Sequence, residues 1–469
     1  MLNRCSRTLA LIAASLSSMV PSMGAIANQE SVDPIPRSII LLIGDGFDDQ
    51  HVTMGRNFLA GHEGQLIVDT LPMRGALQIE TIDPDGTPLY TADSANTATS
   101  IASGVVTNIG RIGTDQHDED TPTIVEVAAN AGLRTGIVST ASVTGATPAA
   151  FIAHVANRNC ENPEIVLGGQ LYGQTYEGCP QDSRRNGGPG SIAEQIAGSV
   201  ADIVLGGGLK HFVKPDPDTG NTALELSAEK GFTVATDLEQ LLAANTEQRL
   251  LGLFADSHLP VRMRGTDDRK AESPTTSLLN AVDYRLGSVT QPEPMTCERN
   301  PDFNETPSLA QMTEIAIDRL SDNNEKGFFL MVESASIDKQ SHRRNPCGSI
   351  GEIEQLEEAL AIALNYAETH PNTLIIVTAD HAQAAQIVPE PSLYDAIPIP
   401  IYSPGKIARI KTPEGGMMRI NYATNNFVAE EHTGANVPLF ALAPAGITIP
   451  AFLRQRDLHA LMINYLQLD

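Results

Sequence analysis

Short apolar runs alternate with stretches of helical spacing along most of this chain. The runs SIILLIG (38–44), RTGIVST (134–140), ADIVLGG (201–207), GFFLMVE (327–333), TLIIVTA (373–379) and VPLFALA (437–443) are continuous rather than alternating. That pattern belongs to strands buried on both faces. Between them, PTIVEVAANAG (122–132), SLAQMTEIAIDRLSD (308–322) and IEQLEEALAIALNYAET (353–369) repeat apolar residues three and four apart, and the first ends at Gly132, a common helix stop. Strands alternating with helices predict βαβ units around a mostly parallel sheet, an α/β fold.

Two stretches break the alternation. Residues 214–306 are rich in polar and turn residues, and residues 388–426 are rich in Pro and Gly. The second reads as an insertion of short antiparallel strands and loops within one domain spanning 28–469. No internal repeat or low-complexity segment is visible.

Composition narrows the class. With 41% hydrophobic and 19% charged residues the 469-residue chain is globular. The first 27 residues carry Arg4 and Arg7, an apolar stretch from Leu9 to Val20, and an A-x-A ending at Ala25 and Ala27. This predicts an export signal cut after Ala27, in preference to a core helix, and hence a periplasmic or secreted protein. Cys5 precedes the apolar stretch instead of closing it, which argues against a lipid anchor. No later apolar run reaches the roughly 18 residues needed to span a bilayer. A net charge of −26 argues against nucleic acid as a partner and suits a solvated acidic surface. Four cysteines remain after the signal: Cys160, Cys179, Cys297 and Cys347. An even count in an exported chain predicts two disulfides with three possible connectivities. Local pairing closes the shorter loops and is the expectation; the C-x₂-C spacing of a zinc cluster is lacking.

Chemistry enters at the strand ends. The run IILLIG is followed by Asp45, FFLMV by Glu333, and LIIVTA by Asp380 and His381. In a parallel sheet the carboxyl ends share one edge, so these acids can converge there. Convergent carboxylates repel unless a cation holds them. Asp338, His342 and His381 add a mixed oxygen and nitrogen set suited to zinc, whereas Asp45, Glu333 and a hydroxyl suit magnesium. Asp338 and His342 are four apart, one face of a helical turn, and His432 in EEHTG can complete a set with them. Taken singly, a strand-end Asp is often only a helix cap. Several after buried strands point to a site.

In YTADSANTATSIASG (90–104), Asp93 and Ser94 open a small-residue helix that Gly104 can end. Ser94 then sits where free N–H groups favour negative charge; alone it reads as a cap, beside a metal as a nucleophile. In ATPAAFIAHVANRNC (146–160), Thr147 precedes Pro148 in a first turn, and Arg158, about three turns on, offers a bidentate phosphate ligand. LGGGLKHF (205–212) lacks P-loop spacing and reads as a tight turn after a strand.

Taken together, LLIGDG, DSANTAT, VSTASVTGATPAAFIAHVANRNC, ADIVLGGGLKHF, LLGLFADSHLPVR, EKGFFLMVESASIDKQSHRRNPCGSIGE, IIVTADHAQ and EEHTG occur in the order found in bacterial periplasmic alkaline phosphatases, which the whole mature chain resembles. The resemblance implies a three-layer sandwich with a small crown-like insertion, phosphomonoester hydrolysis through a phosphoserine at Ser94, and Arg158 clamping the phosphate. It implies two Zn²⁺ and one Mg²⁺ per subunit. One zinc would be held by Asp338, His342 and His432, the other by Asp45, Asp380 and His381. Magnesium would be held by Asp45, Thr147 and Glu333, with Lys339 near the phosphate. Homodimers and the local disulfide pairing are implied too. One departure stands out: relatives often carry an acid two positions before the magnesium-binding threonine, and here Gly145 occupies that place.

Three rival readings differ in sequence marks. A phosphodiesterase on the same fold would prefer diesters. A sulfatase needs a C/S-x-P-x-R pattern, and Ser94 is followed by ANTA. A binding protein with a dead site would lack the nucleophile or the arginine, and both are present.

Overall fold

A computed structural model of the chain describes residues 36–468 apart from 172 and 246. The predicted export signal lies outside the described residues. Ten strands form one sheet: β1 (Ser38–Gly44), β2 (Met73–Gln78), β3 (Arg134–Ser142), β4 (Ile203–Gly207), β5 (Phe232–Ala235), β6 (Arg249–Leu253), β7 (Phe328–Ser334), β8 (Thr373–Thr378), β9 (Val437–Leu442) and β10 (Phe452–Arg454). Their order is β10-β2-β9-β8-β1-β7-β3-β4-β6-β5. The central strands are the continuous apolar runs, and every residue of β1, β7 and β8 is buried. All pairings are parallel except those of β9, which runs against both β8 and β2. The expected mostly parallel sheet is found, and the direction of β9 was not readable, because a continuous apolar run reports burial on two faces but not direction.

The helices that matter are α1 (Asp49–Leu59), α2 (Ser94–Ser103), α3 (Ile124–Asn130), α4 (Ala146–Ala150), α5 (Leu309–Ser321), α6 (Ser336–His342), α7 (Pro346–Thr369) and α8 (Gln455–Leu466). They form two groups: α1, α5 and α6 pack on α7, while α3, α4 and α8 pack on α2. Both groups meet the sheet, which accounts for strands buried throughout. α7 starts well before the predicted 353. Asn345 caps it, accepting the Gly348 N–H at 3.3 Å, and Pro346 fills the first turn where its missing N–H costs nothing.

Residues 214–306, expected to lie outside the alternation, contribute β5 and β6 to one edge of the sheet. Their apolar runs are only four and five residues long and are set among polar loops, too short to read against that background. Farther on, Gln386–Val388, Lys406–Lys411 and Met417–Tyr422 form a separate antiparallel sheet with the last strand in the middle. The segment 272–295 docks on it through bridges from Glu272 to Ile407 and from Met295 to Ile410. Disulfides join Cys160 to Cys179 and Cys297 to Cys347. Among the described residues, no helix is long and apolar enough to cross a membrane.

Strand register sets the level of each functional group. Ile43 lies beside Glu333 on one side and Thr378 on the other. Asp45 and Asp380 therefore sit at one height, two residues beyond Glu333, or about 6–7 Å along the strands.

Candidate active site

The carboxyl ends of β8, β1 and β7 meet at one rim and carry Asp380, Asp45 and Glu333, all at most 1% exposed. Asp45 extends β1 by donating its N–H to Ser334 at 3.1 Å. Gly46 follows with φ of +70°, and a side chain there would come within 3.1 Å of Asp338 and 3.0 Å of Gln383. A glycine at this point lets the β1 loop lie directly against the helix that carries Asp338.

α6 presents Asp338 and His342 on one face, as their spacing predicted. His342 Nε2 and His432 Nε2 each lie 3.3 Å from Asp338 Oδ1 and 3.1 Å from each other. The other ring nitrogens are engaged: His342 Nδ1 donates to the Glu430 carbonyl, and His432 Nδ1 to the Ala92 carbonyl at 2.7 Å. These bonds fix both tautomers with unprotonated Nε2 atoms facing each other across the carboxylate. Opposed lone pairs beside an anion fit a cation between them.

The second cluster centres on His381. Its Nε2 is 3.4 Å from Asp45 Oδ1 and 3.5 Å from Asp380 Oδ2, and its ring stacks on His432 at 3.7 Å. The first cluster of Asp338, His342 and His432, and a second of Asp45, Asp338 and His381, each offer ligand atoms within 4.8 Å of one another. Asp380 Oδ1 accepts the Gly46 and His381 N–H groups, while its buried Oδ2 has no hydrogen-bond partner.

Glu333 stands outside both clusters and accepts the Ser139 hydroxyl. Thr147, on the short α4, is buried with its Oγ1 unpartnered. Orphaned oxygens and convergent acids are the donor chemistry of a hard cation. The electrostatics agree. Burial, with Asp45 adding to it and Lys339 opposing it, pushes Glu333 up to about 8. Burial and Asp45 push Asp380 well above the ordinary carboxylate range. Asp338 is held well below that range despite burial, because His342, His432 and His381 surround it. Burial works against the Lys339 ammonium, yet Asp45 and Glu333 hold its proton more tightly than usual, and its Nζ donates to Asp45 Oδ2 at 3.0 Å. One ammonium does not neutralise this many acids, so the residues fit divalent ions.

Ser94 opens α2 with Asp93 as its cap. Its Oγ lies 3.0 Å from His381 Nε2 and 3.4 Å from Asp45 Oδ1. Small residues along α2 let it pack against α4 and α8 while its amino end points into the rim. Arg158 is not on a helix as expected: α4 stops at Ala150, and Arg158 sits on a loop held by its N–H to Gly110 at 2.7 Å and by the neighbouring disulfide at Cys160. Its Nη1 donates to Asp93 Oδ2 at 3.1 Å. Asp93 thus caps the helix of Ser94 and aims the guanidinium together.

Sequence reasoning missed four supporting groups. Ser139 is the register partner of Glu333, so aligning β3 with β7 would have found it. Gln383 donates to Asp338 Oδ1 at 2.6 Å, and Gln455 to the Asp380 carbonyl at 2.5 Å; neither had a local signal. His258 accepts the Ser142 N–H at 3.0 Å and is pushed down to about 3 by burial and then by Lys339, Lys210, Arg343 and Arg158.

The alkaline phosphatase family model matches residues 36–425. Alkaline phosphatase of Escherichia coli is 40% identical over 439 residues, covering 91% of this chain and 85% of that protein. Streptomycin-6-phosphate phosphatase of Streptomyces griseus is 39% identical over 93% of this chain and 92% of its own length. Among solved structures, alkaline phosphatase of the Antarctic bacterium TAB5 shares the fold, with a TM-score of 0.65 at 22% identity over 93% of this chain and all of that one. With this agreement added to a rim of convergent acids and imidazoles facing a helix-start serine, the chain belongs to the alkaline phosphatase family and is a metal-dependent phosphomonoester hydrolase.

Proposed function

We propose that hydrolysis runs through a phosphoserine on Ser94. The observation that carries this is Ser94 Oγ at the amino end of α2, within 3.0 Å of His381 and 3.4 Å of Asp45. Asp338, His342 and His432 would hold one zinc, Asp45, Asp380 and His381 another, and Asp45, Glu333 and Thr147 a magnesium. When bound, these ions supply Lewis acidity that favours the serine alkoxide and charge on the leaving oxygen. Ser94 Oγ attacks phosphorus in line, the P–O bond to the alcohol breaks, and the alcohol departs with a proton. Water then attacks from the vacated side, releasing inorganic phosphate and restoring the serine. Arg158, held by Asp93, binds two non-reacting phosphate oxygens with its planar fork. Lys339 adds positive charge beside the phosphate. Because the serine must lose its proton and the imidazoles must stay neutral to ligate, the rate rises toward alkaline pH.

Gly145 caps α4 in place of the acid common in relatives, and without that acceptor magnesium is held about 10- to 100-fold more loosely. Restoring Asp costs something here, since a Cβ at 145 would lie 2.9 Å from the Ser142 carbonyl oxygen. The reading includes export to the periplasm and a homodimer. The dimer is supported by exposed apolar side chains next to the small sheet: Leu393 and Tyr394, 80% and 64% exposed, and Leu278 and Tyr284 on the docked segment.

The direct test is incubation with a radiolabelled phosphomonoester and an acid quench. Wild type is expected to carry one acid-stable label on Ser94. Label on Ser94→Ala, or turnover of that variant at the wild-type rate, would refute the assignment. Monoester hydrolysis is expected to exceed diester hydrolysis at the same site.

A further inference from the structure

A second constellation lies one turn behind the rim. His51 on α1 has Nδ1 2.8 Å from Asp48 Oδ1 and Nε2 2.9 Å from Ser341 Oγ on α6. The set has the order of an acyl-transfer triad, but His51 and Ser341 are 0% exposed, so no substrate reaches the hydroxyl. Its geometry serves another purpose. Asp48 Oδ1 also accepts the N–H groups of Gln50 and His51, so the carboxylate caps α1 and is fixed. An acceptor nitrogen facing that oxygen would be repelled, so Nδ1 carries the proton and Nε2 accepts from Ser341. Ser341 Oγ also lies 2.9 Å from the Ile337 carbonyl and 3.2 Å from Ser349 Oγ; with its one proton on His51, the Ser349 hydroxyl takes that carbonyl, 3.0 Å away. Both ring nitrogens and both hydroxyl protons of this buried chain then have partners, the condition under which a buried network specifies one arrangement.

The two ends of the network lie on the segments that supply the rim. Asp48 comes three residues after Asp45, and Ser341 three after Asp338. The same segments touch at Gly46, where a side chain would meet Asp338. We infer that Asp48, His51 and Ser341 form a positioning relay that sets the approach of the Asp45 loop to α6, and so the tightness of the metal site that these carboxylates build. The inference rests on reading Asp45 and Asp338 as ligands. The relay residues touch neither substrate nor ion, so they govern how long metal is kept and not the chemical step.

The test follows zinc released from the holoenzyme into excess chromophoric chelator. Ser341→Ala, the smallest deletion, is expected to speed release about tenfold, while kcat in saturating zinc stays within about twofold of wild type. His51→Gln, whose amide can still reach Ser341, is expected to release zinc at an intermediate rate. Ser349→Ala removes the hydroxyl next to Ser341 but leaves the His51–Ser341 bond in place, and its release rate is expected to stay close to wild type. Release from Ser341→Ala at the wild-type rate, or equal acceleration by Ser349→Ala, overturns the relay. Asp338→Ala separates the two levels: full zinc retention in that variant means the ligand reading is wrong and removes the basis of the inference.

Discussion

The rim at β8, β1 and β7 and the small antiparallel sheet with its docked segment are built on opposite rules. At the rim, the most apolar strands end in carboxylates and imidazoles that are taken out of water. Around the small sheet, polar and turn-rich chain puts Leu278, Leu393 and Tyr394 into water. Each is costly for an isolated chain: buried like charges repel, and a large exposed apolar patch loses the burial it could have. Each cost falls when something beyond the single chain is supplied: divalent ions in one place and, in the reading proposed above, a second subunit in the other. Where a sequence departs from the expected polarity in a whole cluster, the departure therefore names the missing partner. The two regions are joined by Arg344 and Glu430, a buried ion pair at 2.5 Å, with the Glu430 carbonyl also holding His342.

The contrast can be broken from either side. The largest effect is expected from His432→Ala, which should lose zinc and lower turnover by about 100-fold or more, read by metal analysis and steady-state rates. Retention of both would mean that the stacked imidazoles are only structural. Replacing Cys297 and Cys347 by serine opens the tie between the polar region and α7 and should cost about 2–4 kcal/mol in urea unfolding. Leu393→Ser with Tyr394→Ser should raise the dissociation constant of the proposed dimer at least about tenfold in sedimentation experiments and leave turnover almost unchanged. Loss of activity instead would mean that the patch serves the site. The smallest effect concerns Asp182, which burial pushes up to about 6. Its folded carboxyl holds a proton more tightly than the unfolded one, so its contribution to stability is present at low pH and is lost as pH rises from about 4 to about 6. Asp182→Asn should therefore stabilise the fold by about 1 kcal/mol at pH 8 and hardly at all at pH 4, measured by thermal unfolding.

Much of the rim was legible because its signals are local. A continuous apolar run fixes a buried strand, and the first acid that follows the apolar residues is then at the sheet edge; Asp45, Glu333 and Asp380 are found at that edge. Asp338 and His342 needed only helical spacing. The direction of β9 was not legible, because burial on both faces looks the same in either sense. The edge strands β5 and β6 were hidden by brevity among polar loops. Arg158 was misplaced onto a helix because nothing in FIAHVANRNC marks the stop at Ala150, which comes from tertiary packing. Gln383 and Gln455 depend on partners 45 and 75 positions away, and the link from His51 to Ser341 spans 290, so no local pattern marks them.

The register of β1 has one further consequence. Its Ile39 pairs with Phe329 on one side and Leu374 on the other, so this middle strand is synthesised 290 and 335 residues ahead of its two neighbours. Closing such long loops is slow, and during that wait the nascent chain keeps its most apolar segment unpaired, open to capture by a chaperone or to self-association.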